Sequence, residues 1–251
     1  MNIQSTAICF VVFNRRCEKW VIIESETEAA VTGPFFDPQS TREEILAATY
    51  NALTEHGPRE LTVKKIGEEF TKSPSLIYHH YDGKDDLLVD LLSYCIDHFE
   101  AAVSASELDG SPRDRLDGYV TAMVAPERLE TDQSPSLPFL KAVIQLRTTA
   151  IHDDAYQKQF ERSDRVLVRF LRSTVIDAAR AEQSASTTRA SPGDEVSPKA
   201  VAEMLQTVTR GGTLRLATTS DHGWVDDVRA EVDRYLDKTL PRVVTDDPAS
   251  D

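Results

Sequence analysis

Apolar residues recur every third or fourth position along most of this chain, the period of helices that each bury one face. The pattern becomes readable at Ser40. Thr41-Arg42-Glu43-Glu44 predicts a capping box, with Thr41 at the N-cap and a glutamate three residues on. Ile45, Thr49, Ala52 and Leu53 then share a face, and Gly57-Pro58 closes the helix. Thr62 is placed to cap a second, short helix with Val63, Ile66 and Phe70 inward. After a turn, Ser73 is placed to cap a third, with Pro74 at the first helical position, where its missing N–H costs nothing. Leu76, Ile77 and Tyr81 can pack inward. Asp82-Gly83 then punctuates the chain before a long helix, whose first turn holds Asp85 and Asp86. Leu87, Leu88, Leu91, Leu92, Cys95, Phe99 and Val103 form its apolar stripe.

Beyond Asp109-Gly110 the pattern predicts further helices near 112–125, 136–152, 154–182, 197–218 and 223–240, with prolines at or near the gaps. No strand-like alternation follows residue 35, so the expected fold class is all-α. Residues 184–197 read as a polar loop. The expected organisation is an irregular extension at 1–39, a helix-turn-helix domain at 40–86, a helical regulatory and dimerisation domain at 87–241, and a frayed tail at 242–251. The extension reads as a strand pair, a mobile arm, or the product of a misplaced start with Val31 as initiator. Peptides preceding Val31 in the native protein would exclude the last.

With 40% hydrophobic residues the chain can fill a core, and no apolar run reaches the roughly 18 residues of a membrane span. Cys9, Cys17 and Cys95 have no metal spacing and read as reduced thiols of a cytoplasmic protein. The net charge is −14, and the 28 basic residues are 19 arginines and only 9 lysines. Aspartate-rich, lysine-poor acidity is what a protein hydrated in concentrated salt would carry, and the plainer reading is an ordinary acidic cytoplasmic protein. Net acidity opposes nonspecific nucleic-acid binding. From Thr62 to Lys84, however, four lysines (64, 65, 72, 84) meet three acids (Glu68, Glu69, Asp82), leaving that stretch at +1.

That stretch carries the candidate chemistry. A helix-turn-helix sends the leading side chains of its second helix to base edges, while flanking groups hold phosphates. The leading positions here are Lys72, Ser73, Pro74, Ser75 and Leu76. Serine can hydrogen-bond several bases, and Pro or Leu can touch a thymine methyl. Tyr78, His79 and His80 offer phosphate donors, and Lys84 opens the next helix, whose amides also favour an anion. His79 and His80 could equally be solvated helix-end residues, Tyr78 and Tyr81 core aromatics. Adjacent histidines diverge on a helix, so no metal pair is expected.

Residues 41–92 resemble the N-terminal DNA-binding domain of the tetracycline-repressor-like (TetR/AcrR) family. The resemblance rests on Gly57, on Thr62-Val63-Lys64-Lys65-Ile66-Gly67, on Ser73-Pro74-Ser75-Leu76-Ile77-Tyr78-His79-His80-Tyr81 and on Lys84-Asp85-Asp86-Leu87, in register without a gap. It implies that Thr62 and Lys65 touch the DNA backbone, that Pro74, Ser75 and Leu76 face bases, and that Tyr78, His80 and Lys84 hold phosphates. Arg42 would lie near the backbone or minor groove. The chain departs from the family at Thr71-Lys72, where Gly and an apolar residue are usual.

The resemblance also implies a dimer through the last two helices, with Val201, Leu205, Val208, Gly212, Leu216, Val228, Val232 and Tyr235 as interface candidates. It implies a small-molecule effector in a pocket for which Phe99, Met123, Phe139, Ile144, Tyr156 and Phe160 are lining candidates, with His98 and Gln145 as polar members. All of these could instead be ordinary core. The expected function is a ligand-responsive repressor binding a near-palindromic operator as a dimer, with double-stranded DNA as partner and no cofactor. An adaptor without small-molecule sensing is the alternative. No enzyme is expected, since no Gly-rich loop or nucleophile elbow is found, and His152-Asp153-Asp154 reads as a helix break.

Overall fold

The structure is a computed structural model that describes residues 38–104, 110–129, 135–185 and 197–240. The expectations for the N-terminal extension, Cys9, Cys17, most of the polar loop and the tail lie outside these residues. The described segments form helices and no strand: α1 (Thr41–Glu60), α2 (Val63–Glu69), α3 (Ser75–His80), α4 (Lys84–Ser104), α5 (Pro112–Val124), α6 (Leu137–Thr149), α7 (Asp154–Ala185), α8 (Pro198–Thr218) and α9 (Trp224–Thr239).

The caps explain most boundaries. Ser40, not Thr41, is the N-cap of α1: its backbone is extended and its hydroxyl accepts from Glu43 N. Thr41 is already helical. The helix proper ends before Gly57, whose φ of 71° is open to glycine alone at little cost, and a further turn runs through Pro58 to Glu60. Ser111 and Asp114 form a reciprocal capping box on α5, with Pro112 at the first position. Asp153 accepts from the amides of Ala155 and Tyr156 at 2.8 and 3.3 Å, so His152-Asp153-Asp154 is the predicted break and α7 is capped at once.

Two apolar clusters fill the interior. One joins α5, α7, α8 and α9, with Leu116, Tyr119, Leu171 and Leu205 fully enclosed. The other joins α1, α2, α3 and the first half of α4, and continues into Phe139, Leu146, Tyr156 and Phe160 of α6 and α7. The sequence-based boundary at residue 86 therefore falls inside α4, and apolar packing runs across it. The rings of Tyr50 and Phe139 meet at 4.9 Å between centroids.

Polar ties are long in range. Arg113, buried on α5, pairs with Asp117 and with Asp237 of α9 at 3.0 Å. Asp164 of α7 accepts from Arg147 of α6 at 2.6 Å and from Arg210 of α8. Burial and the nearby Arg147 lower the pKa of Arg210 despite that carboxylate.

Gly212 permits a close helix approach: a Cβ there would lie 2.5 Å from Val124 Cγ1 of α5. Gly118 of α5 has nothing within 4 Å of such a Cβ. Gly212→Ala is expected to destabilise the fold by about 1–3 kcal/mol through overpacking. Gly118→Ala should stabilise it by about 0.5–1 kcal/mol. Urea midpoints of the two variants decide the matter.

Candidate nucleic-acid interface

The helix-turn-helix is assembled from short-range bonds. Thr62 Oγ1 accepts from Lys65 N at 3.2 Å and starts α2 as predicted. Ser73 does not cap α3. Its hydroxyl lies 2.8 Å from that of Ser75, while its carbonyl accepts from Leu76 N at 3.0 Å. Pro74 is already helical (φ −57°, ψ −20°), so the backbone alone begins the helix and the hydroxyl is left to a neighbour. Beneath it lies Gly67, whose added Cβ would stand 3.1 Å from Pro74 Cβ. An alanine at this place would press on Pro74, so Gly67 and Pro74 act as a matched pair.

Ile77 and Tyr81 point into the core, which leaves the opposite side of α3 in solvent. Ser73, Pro74, Ser75, Tyr78, His79 and His80 are all exposed, and Leu76 is half-buried against the core. Tyr78 is 66% exposed, which excludes a core role for it. Thr62 and Lys72 are exposed, and Lys65, Lys84 and Arg42 half-buried. The twelve residues predicted for DNA thus lie on α1's first turn, the start of α2, the turn before α3, along α3 and at the start of α4.

Their charges are not free. Arg42 makes a two-pronged bond to Asp90 of α4, Nε to Oδ2 at 2.8 Å and Nη2 to Oδ1 at 2.6 Å. The Tyr81 hydroxyl donates to the same carboxylate at 2.7 Å. Burial alone would push the Asp90 carboxyl up, but the bonds from Arg42 and Tyr81 outweigh it and hold it below the usual carboxylate range. Lys72 Nζ lies 2.7 Å from Glu44 of α1, and Lys65 Nζ lies 3.9 Å from Glu60. Sequence reasoning found these cations but not their partners, which lie up to 48 residues away.

Lys84 Nζ donates to the Pro58 carbonyl at 3.2 Å. It also lines a cavity of about 280 Å³ at the junction of α1, α4, α6 and α7, with Arg59, Gln145, Thr149 and Tyr156. The Tyr156 hydroxyl donates to Asp85 at 3.1 Å on its wall. Of the six aromatic and aliphatic residues predicted for a pocket, Tyr156 alone lines this cavity, as does the polar candidate Gln145. Phe99 and Met123 belong to one apolar cluster, Phe139 and Phe160 to the other, and Ile144 is half-buried.

The dimer prediction is corrected in part. Val201, Leu205, Gly212, Leu216 and Val232 are buried within the protomer, where α8 and α9 use their apolar faces against α5 and α7. They cannot also face a second copy. Val208 and Val228 are half-buried and Tyr235 is exposed, as is Leu214. Of the adjacent glycines, Gly212 turns inward and Gly211 outward. Gly211 lies on the outward arc of α8 with Met204, Thr207, Val208, Leu214 and Thr218, an arc that also carries the exposed Arg215, whose guanidinium lies 4.7 Å from the Trp224 ring centroid.

Among the described residues no helix is long and apolar enough to cross a membrane. Residues 45–91 match the model of the TetR family of bacterial regulatory proteins, in its N-terminal domain. No curated protein matches the chain. Among solved structures, a TetR transcription regulator from Haloarcula marismortui is 26% identical, with a TM-score of 0.61 over 79% of this chain and 97% of its own. A TetR-family regulator from Cytophaga hutchinsonii has a TM-score of 0.61 at 13% identity, covering 81% of this chain and 96% of its own. Reduced NemR from E. coli has a TM-score of 0.58 at 15% identity, covering 77% and 95%. The latter two share the fold alone. The chain has a TetR-like fold, an N-terminal helix-turn-helix domain followed by a helical C-terminal domain.

The Asp90 knot has a pH signature. Because its folded pKa is depressed, its stabilisation is present above the unfolded value near 3.9 and is lost as pH falls through the folded one. Asp90→Asn should cost about 1–2 kcal/mol at pH 7, moderated by the solvent that reaches Arg42. The gap to wild type should close below about pH 4, as read from urea midpoints against pH.

Proposed function

We propose that this chain is a DNA-binding transcriptional regulator, a repressor that binds a near-palindromic operator as a homodimer and leaves it on taking up a small molecule. One observation carries the reading: α3 is buried along Ile77 and solvent-facing along Ser75, Tyr78 and His79, held by α2 and α4 on either side. A six-residue helix has little stability of its own and no structural need for an exposed Tyr beside two exposed His. A major groove supplies the missing partner. In this reading Pro74, Ser75 and Leu76 meet bases. Thr62, Lys65, Lys72, Ser73, Tyr78, His79, His80 and Lys84 meet phosphates or sugars, and Arg42 supports them from beside Asp90.

The outward arc of α8 about Gly211 is the face we assign to the second copy, with Tyr235 of α9 at its edge. Glycine at its centre lets two helices approach closely. A two-fold arrangement places the recognition helices about one DNA turn, roughly 34 Å, apart. Acid excess and scarce lysine fit a cytoplasm rich in salt.

The junction cavity is the effector site we favour, because its walls come from both halves of the molecule. A ligand that draws Lys84 from Pro58 would alter the α1–α4 contact that sets α3. Ligand and DNA then prefer different states and weaken each other reciprocally.

Sequences selected from a random duplex pool should carry two half-sites about 10 base pairs apart or a multiple of that. Lys84→Ala should weaken binding to cognate and scrambled DNA alike, whereas Ser75→Ala and Leu76→Ala should change preference by about 1–3 kcal/mol at individual base pairs. Equal losses on both DNAs for the latter pair would remove α3 from base readout. For the effector, a metabolite that raises the melting temperature should also lower DNA affinity, and Gln145→Leu should abolish both effects together. Loss of one without the other would place the effector elsewhere.

A further inference from the structure

Four basic groups of the helix-turn-helix are each paired with a carboxylate of α1, α2 or α4, whereas Lys84 donates to the Pro58 carbonyl. Lys72 lies 2.7 Å from Glu44, Lys65 lies 3.9 Å from Glu60, and Lys64 lies 3.9 Å from Glu68. Arg42 is held by Asp90 at 2.6 Å. These acids come from α1, α2 and α4, so no single sequence motif collects them. Glu44 is distinctive: it reaches from the first turn of α1 to the turn before α3, across 28 residues, and its side chain is 27% exposed.

We propose that Glu44, with Glu60 in support, masks the phosphate-binding lysines and thereby flattens the salt dependence of DNA binding. The inference rests on the DNA-binding reading above. A lysine that meets a phosphate ordinarily drives release of the counterions condensed on DNA, and each such contact adds about 0.9 to the slope of log affinity against log salt. Lys72 approaching DNA brings the Glu44 carboxylate with it. That carboxylate must either stay on the lysine, sharing its charge with the phosphate, or be left beside the DNA and take up a cation from solution. Both routes lower the net release of ions. The complex is weaker at low salt and loses less affinity as salt rises. At 1 M salt the screening length is only about 3 Å, so a face that had relied on long-range attraction would gain nothing there, while direct contacts persist.

The test measures binding of the full-length chain to its selected duplex by fluorescence anisotropy, from about 0.1 to 1 M KCl, for wild type, Glu44→Gln, Glu60→Gln and the double variant. Glu44→Gln keeps the shape and removes the charge. It is expected to bind about three- to tenfold tighter at the low-salt end and to steepen the slope by up to about 0.9. Glu60→Gln should act in the same direction and less strongly, since its pair is longer. Lys72→Ala should cost more affinity in the Glu44→Gln background than in wild type. If wild type binds DNA and both glutamine variants show unchanged or weaker binding with an unchanged slope, the masking role is overturned while the DNA-binding reading stands. If wild type selects no duplex at any salt, that reading falls and takes this inference with it. Should Glu44→Gln lower the melting temperature, Glu60→Gln on the separate α1–α2 contact decides alone.

Discussion

A single apolar cluster shared between the helix-turn-helix and helices α6 and α7 is the constraint on which the molecule depends. A domain of three short helices encloses little surface, and α3 has only Ile77 fully buried. What it lacks is supplied by α4, whose first half lies in that cluster and whose second half lies in the other. The recognition helix is thereby placed by a rod that continues into the helical domain. Asp90 fixes the polar rim of the same joint, drawing together Arg42 of α1 and the Tyr81 hydroxyl at the end of α3. Position and orientation of α3 are consequently properties of the whole chain.

Helix existence was legible because caps and stripes are local. Thr62 caps α2 and His152-Asp153-Asp154 breaks the chain where the pattern puts them, and the nine helices lie within a few residues of the expected ranges among the described residues. What a stripe packs against was not legible. Val201, Leu205 and Leu216 have the period of any buried face, and nothing local distinguishes a protomer's own α5 from a second copy. By the same limit, Phe99 and Phe160 look alike in sequence and lie in different cores. Only three dimensions separate Gly212, against Val124, from Gly211 in the open. The ion pairs were invisible for the same reason, Arg113 and Asp237 being 124 residues apart.

The division of labour between the two basic residue types follows from their chemistry. Arginine holds the long-range ties of the helical domain, at Arg113, Arg147, Arg210 and Arg162, and at Arg113 the planar fork grips carboxylates from two elements at once. Lysine is scarce, yet four of the nine fall between Lys64 and Lys84. A flexible stem with a compact charge can leave one anion for another, as the proposed phosphate contacts would require.

The contact of Tyr50 with Phe139 bears on how far such a molecule can be taken apart. Builders of hybrid regulators cut between a reading head and a sensing body, and treat the head as a portable cassette. Here the head's floor is tiled partly from the body: remove α6 and Tyr50 loses its ring partner, while the Gly57 bend loses Gln145 beside it. A graft made at the start of α4 would carry an open seam. The unit that can travel is the head together with the face of α6 that closes it.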